Sequence, residues 1–102
     1  MPSSDKIIIH ADPEIKEIIP MFLENRRKDV EAIGEALKKK NLEAVRRLGH
    51  QMKGAGGGYG FDGISKIGAD LEVCAMQADA KGAQKALREL EDYLRRVVVV
   101  DA

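Results

Sequence analysis

Apolar positions recur at spacings of three and four along most of the chain, and they predict four amphipathic helices. Asp12-Pro13-Glu14 joins a capping side chain, a proline suited to the first helical position and an early carboxylate, so the first helix is expected to begin near residue 13. Its apolar stripe is Ile15, Ile19, Phe22, Val30, Ile33 and Leu37, and Lys38 to Lys40 put positive charge where the helix dipole favours it. Pro20 interrupts this run. It either kinks the helix or restarts it, because it removes an amide donor and crowds the preceding turn. A second stripe follows Asn41, carries Leu42, Val45, Leu48, Met52, Ala55 and Tyr59, and stops at Gly60, a residue suited to the left-handed position past a helix end. A third carries Ile64, Ile67, Leu71, either Cys74 or Ala75, and Ala78. After a break around Asp79 to Gly82, the fourth and most regular stripe carries Ala83, Ala86, Leu87, Leu90, Tyr93, Leu94 and Val97.

Short connections between such helices favour an all-α fold, an antiparallel up-down-up-down four-helix bundle over residues 12–102 with residues 1–11 as an N-terminal lead-in. Ile7-Ile8-Ile9 resembles a strand, yet no partner strand is evident, so it reads as an extended lead-in. Val97 to Val100 either closes the bundle end or marks where a longer parent protein continues; the clear helix start near Asp12 favours a freestanding protein. A length of 102 residues suits one domain. With Trp absent and only two Phe and two Tyr, its core is aliphatic.

Charge narrows the partners. Lys+Arg and Asp+Glu number 17 each, so there is no overall basic field for nucleic acid or an anionic membrane. No apolar run reaches membrane-spanning length and no signal peptide is evident, so a cytoplasmic monomer is expected. Cys74 is the single cysteine, which excludes an internal disulfide; it reads as a small core residue. Only His10 and His50 are available besides, with no spacing that resembles a zinc site. His10 has no adjacent acid or metal-ligand partner and reads as a solvated residue.

His50 is different. At roughly 100° per residue, with Leu42 at zero, the apolar side chains of the second helix centre near 260° and His50 falls near 80°. Arg46, Glu43, Lys53, Gly54 and Gly57 surround it on this outer face. Each glycine inside a helix costs about 0.8 to 1 kcal/mol relative to alanine, so Gly49, Gly54, Gly56, Gly57 and Gly58 together imply that side chains are being kept off a surface. Gly54 and Gly57 lie four and seven residues after His50, leaving the imidazole above a bare floor that another molecule can approach. Lys53 offers an ammonium to an anion held there, with Arg46 as a second cation. Neutral imidazole is nucleophilic near pH 7, so the layout suits phosphoryl acceptance. The bland reading is a solvated histidine followed by a glycine-rich loop. Gly58-x-Gly60-x-x-Gly63 matches a dinucleotide fingerprint in letters but follows no strand, and Lys53 precedes the glycines rather than following them as in a P-loop.

The segment His50-Gln51-Met52-Lys53-Gly54-Ala55-Gly56-Gly57-Gly58-Tyr59-Gly60-Phe61 resembles the phosphorylation motif of histidine-containing phosphotransfer (HPt) domains. Leu71-Glu72 resembles the Leu-Glu pair common in that family's following helix. Met52 stands where leucine is commoner, and Gly56 and Gly58 where larger residues are usual. The resemblance implies that His50 takes a phosphoryl group from the aspartyl phosphate of one receiver domain and passes it to another. It implies a carrier with no cofactor of its own, Mg²⁺ belonging to the receiver, and response-regulator receivers and a hybrid sensor histidine kinase as partners. Gly54, Gly57, Arg46, Met21 and Pro20 are the expected docking residues, the last two as an exposed apolar patch on the first helix. The alternative is a helical module that binds and inhibits a receiver or kinase without being phosphorylated.

Overall fold

A computed structural model describes residues 5–101, so residues 1–4 of the lead-in and Ala102 lie outside the described residues. Four helices follow one another, α1 (Ile19–Lys38), α2 (Leu42–Gly58), α3 (Asp62–Met76) and α4 (Ala80–Arg96). A strand precedes them, β1 (Ile7–Ala11), and another follows, β2 (Val97–Asp101). Three helix ends close the same way. The amide of Asn41 donates to the Ala36 carbonyl, that of Phe61 to Gly56 and that of Asp79 to Cys74, each at 2.8 Å. This five-residue return turns the chain sharply and satisfies a carbonyl the helix leaves free. Gly60 takes the left-handed conformation there (φ 84°), as expected, whereas Lys40 and Ala78 adopt it with side chains attached. Asn41 and Asp79 then cap α2 and α4, accepting from the amides of Ala44 at 3.1 Å and Gly82 at 2.9 Å.

α1 begins later than the sequence predicts. Asp12 does cap, accepting from the Glu14 amide at 2.9 Å, but what it caps is a turn closed by Ile15 donating to the Asp12 carbonyl at 3.0 Å. A single 3₁₀ turn, Lys16–Ile18, follows, and α1 starts at Ile19 with Pro20 in its first turn. Pro20 thus restarts the helix, its missing amide falling where no intrahelical partner exists.

The lead-in is the larger correction. Ile7 to Ala11 does have a partner: it pairs in parallel with β2, Ile7 opposite Val97 through Ala11 opposite Asp101. Val97 therefore leaves the helix (φ −69°, ψ 133°), and Val97 to Val100 is a strand. A parallel pair needs a long crossover, and here the whole bundle is the crossover. Ile7, Ile9, Val97 and Val99 pack against the bundle core, which the strands close at one end.

That core is aliphatic with an aromatic corner. Ile33, Val45, Phe61, Ile64, Leu71, Ala83 and Leu90 are fully buried, and the larger side chains among them contribute about 1.5 to 3 kcal/mol each. Phe22 stacks on Phe61 with ring centres 5.2 Å apart and meets Tyr59 at 4.6 Å. On α3 it is Ala75 that is buried, with Cys74 half-buried beside it; Ala78 lies beyond the helix and is exposed.

α2 and α3 approach most closely, and glycine is the reason. A Cβ at Gly49 would lie 2.8 Å from the Glu72 nitrogen and the Gly68 oxygen; at Gly56, 2.6 Å from the Ser65 nitrogen; at Gly68, 2.5 Å from the Lys53 nitrogen. These contacts run in opposite order along the two helices, which are therefore antiparallel. The expectation that all five glycines of α2 clear an outer surface is corrected: Gly49 and Gly56 are buried and let two backbones touch, and only Gly54, Gly57 and Gly58 face solvent.

Candidate functional site

The contact surface formed by Gly49, Met52 and Gly56 turns His50 outward, and its side chain is 66% exposed. The ring is not free to rotate at will. Its Nδ1 lies 2.8 Å from Oε2 of Glu72, which comes from α3 and is only 14% exposed. A carboxylate can only accept, so Nδ1 carries the proton and donates. The other nitrogen, Nε2, then holds its lone pair toward solvent and has no partner among the described residues. Glu72 reaches this position because Gly49, the residue beside His50, lacks the Cβ that would collide with the Glu72 backbone.

Lys53 completes a charge triad, its Nζ 3.6 Å from Oε1 of Glu72. Partial burial pushes the Glu72 carboxyl up, but the His50 hydrogen bond and charge, aided by Lys53, more than offset this and hold it below the usual carboxylate range. The Lys53 carbonyl accepts from the Ser65 hydroxyl, a further tie between α2 and α3. One helical turn on, nothing lies within 4 Å of a Cβ at Gly54, and only the Ser65 hydroxyl, at 3.9 Å, lies near one at Gly57. The surface past His50 is bare.

Arg46 stands on this outer face, but its guanidinium is engaged by Glu43, with hydrogen bonds of 3.0 and 2.5 Å. It serves as a second cation only if that exposed pair opens, which costs little. Pro20 and Met21 are exposed at the start of α1, Met21 at 69%. Phe22, next to them, stacks on Phe61 and meets Tyr59 at a tilt, so the patch sits beside the connection that follows Gly57 and Gly58. Neither residue shares a hydrogen bond or ion pair with His50 among the described residues.

Glu72 is the site residue that the helical arithmetic missed. It lies 22 positions from His50, and only the glycine contact between α2 and α3 brings the two together. The one available sequence signal was the Leu71-Glu72 pair. His10 is exposed on β1, and Cys74 packs near Gly82, its thiol pushed up by burial and by Asp79 and Asp70. Among the described residues no three His, Cys, Asp or Glu side chains are placed to hold a metal ion, and no helix is long and apolar enough to cross a membrane.

A family model described as the Hpt domain matches residues 17–99, which spans the four helices and reaches into β2. No curated protein and no solved structure matches significantly.

Proposed function

Because the chain belongs to the Hpt-domain family, whose members carry phosphoryl groups on histidine in phosphorelays, we propose that His50 is the residue that carries it here. The observation that supports this most directly is the fixed ring: Glu72 holds the proton on Nδ1 and leaves Nε2 as an outward nucleophile.

In the accepting step, the Nε2 lone pair attacks phosphorus of a receiver's aspartyl phosphate. The new N–P bond forms as the P–O bond to the aspartate breaks, its electron pair leaving with the carboxylate. The ring becomes cationic with its Nδ1 proton still held by Glu72, a contact that strengthens as the charge develops. In the donating step a second receiver's carboxylate attacks phosphorus and the N–P electron pair returns to Nε2. Lys53, already at 3.6 Å from Glu72, is within reach of the transferred oxygens and offsets part of their charge. Gly54 and Gly57 let the partner's loops come close, and Pro20 and Met21 give them an apolar contact. The chain acts as a carrier without a cofactor of its own, Mg²⁺ sitting in the receiver, and works in the cytoplasm where hybrid kinases present their receivers.

The test is incubation of the wild-type chain and His50→Gln with several phosphorylated receiver domains, scored for acid-labile, base-stable phosphate. Label on wild type and none on His50→Gln is expected. Tight receiver binding without label on either chain would replace this reading by a binding-only inhibitor. Gly57→Arg keeps the helix and is expected to slow transfer by about tenfold or more, as a misplacement of reacting groups would.

A further inference from the structure

Charge is spread unevenly along this neutral chain. Between Lys38 and Gly60 there are six lysines and arginines against a single acid, Glu43, whereas the rest of the chain has eleven against sixteen acids. The positive part is therefore α2 and the connection that leads into it, and His50 stands within it. Some of these cations are taken: Arg46 is held by Glu43 and Lys53 by Glu72. Others are not. Lys38, Lys39 and Lys40 are exposed at the connection, and their side chains have no hydrogen-bond or ion-pair partner among the described residues. Arg47, exposed one helical turn before His50, bonds to nothing either. The Glu43 carboxyl is held low chiefly by its hydrogen bond to Arg46, and Arg47 adds only its charge.

The α1 dipole favours a cation at Lys38, but it does not call for Lys40. That residue keeps a left-handed backbone (φ 58°), the conformation Gly60 takes after α2, where glycine is the less strained choice. The connection lies about 15 Å from His50 along α2. This exceeds the screening length of about 8 to 10 Å at ordinary salt, so the lysines act on an approaching body rather than on the reacting atoms. At the other end of α1, about 30 Å away, residues 5–18 hold four acids and two lysines. A partner in phosphoryl transfer is anionic where it reacts, since it brings an aspartyl phosphate or a free aspartate together with the acidic groups that hold its Mg²⁺. Such a partner is drawn to the α2 end and repelled by the other. A nucleic-acid duplex fits less well, because Glu43 and Glu72 interrupt the basic strip.

We infer that Lys38, Lys39, Lys40 and Arg47 form a steering surface that brings a receiver domain, acidic side first, onto the His50 face. This rests on the reading of His50 as the phosphoryl carrier and adds to it the surface that recruits the partner. The four cations set the rate of encounter and leave the transfer step to His50, Glu72 and Lys53.

The test is the stopped-flow association rate of fluorescently labelled receiver domains with the His50→Gln chain, so that binding is read while no phosphate moves. Adding Lys40→Gln and Arg47→Gln removes two of the free cations. Adding Lys85→Gln and Arg88→Gln instead removes two exposed cations from α4, which packs on α1 and α3, and helical circular dichroism controls for folding. At about 0.1 M salt the first pair is expected to slow association by about fivefold with dissociation nearly unchanged, and the second pair by less than about twofold. At about 1 M salt, where the screening length falls to about 3 Å, the difference should vanish. A receiver that is steered in this way yet never labels wild-type His50 would leave the surface standing and remove the carrier reading alone. Association that ignores salt overturns the proposal, as does equal slowing by both pairs or an effect confined to dissociation. So does a chain that no receiver binds, or one that binds a DNA duplex more tightly than any receiver.

Discussion

α2 uses glycine on two faces for opposite purposes. Toward α3, Gly49 and Gly56 are buried, and with Gly68 they let backbones approach so closely that any Cβ would strike another backbone at 2.5 to 2.8 Å. Toward solvent, Gly54 and Gly58 have nothing within 4 Å, and Gly57 has only a hydroxyl at 3.9 Å. One face is closed by missing atoms and the other is kept open by them. The same Gly→Ala change should therefore have opposite signs on the two faces, and this is the sharpest way to break the comparison. Gly68→Ala is expected to have the largest effect. Its methyl meets the Lys53 nitrogen, which cannot move without the helix, so the loss should be about 1 to 3 kcal/mol or more in chemical denaturation. A neutral Gly68→Ala would mean that the helices pack more loosely than described.

The closed face also builds the open one, since the approach at Gly49 delivers Glu72 to His50. Glu72→Ala should leave the fold standing while releasing the ring. The hydrogen bond is open to solvent on its His50 side, which weakens it, so its loss should slow phosphoryl transfer by about tenfold. Glu72→Gln retains an acceptor for Nδ1–H and should recover part of that rate. Equal rates in both variants would leave the ring's orientation without a role.

On the open face the expected effect is smaller and favourable. Gly54→Ala should stabilise the chain by about 0.8 to 1 kcal/mol, because alanine is the better helix former and meets nothing. Destabilisation would show that Gly54 is not in open space. A stabilised but slower carrier would identify the glycine as a concession to the partner's approach.

How much of this was legible follows from the range of each interaction. The helices, the left-handed Gly60 and the outward His50 are local, fixed by spacing within a few turns. What escaped was non-local. β1 and β2 are about as far apart as the chain allows, and a parallel pair leaves no hairpin turn to announce it. Asp12-Pro13-Glu14 carried a true capping signal, but the 3₁₀ turn after it competes with an α-helix until Pro20 can be accommodated. By the same spacing Gly49 and Gly56 lie nearer the apolar side of α2 than Gly54, Gly57 and Gly58 do, but only the position of α3 shows that two backbones meet there. For the same reason Glu72 was invisible as a partner of His50.

The smallest effect is electrostatic and lies where the two faces meet. Glu72 has a carboxyl held below its ordinary range in the folded chain: partial burial opposes this, and the His50 contact, with Lys53, prevails. Between that lowered value and the ordinary one, about 4.3, the unfolded chain binds more protons than the folded one, so stability rises with pH through the window. The contribution is present above the ordinary value and is lost as acid titrates through the lowered one. Asp29 on α1 runs the other way, since burial raises its carboxyl despite Arg26, so the wild-type curve mixes both signs. The difference between wild type and Glu72→Gln isolates the one group. Measured by denaturation across the acid range, that difference should climb with pH through the window and level off above it. A flat difference would mean that His50 and Lys53 do not hold the carboxylate in solution, and the open face would then lose the anchor that the closed face supplies.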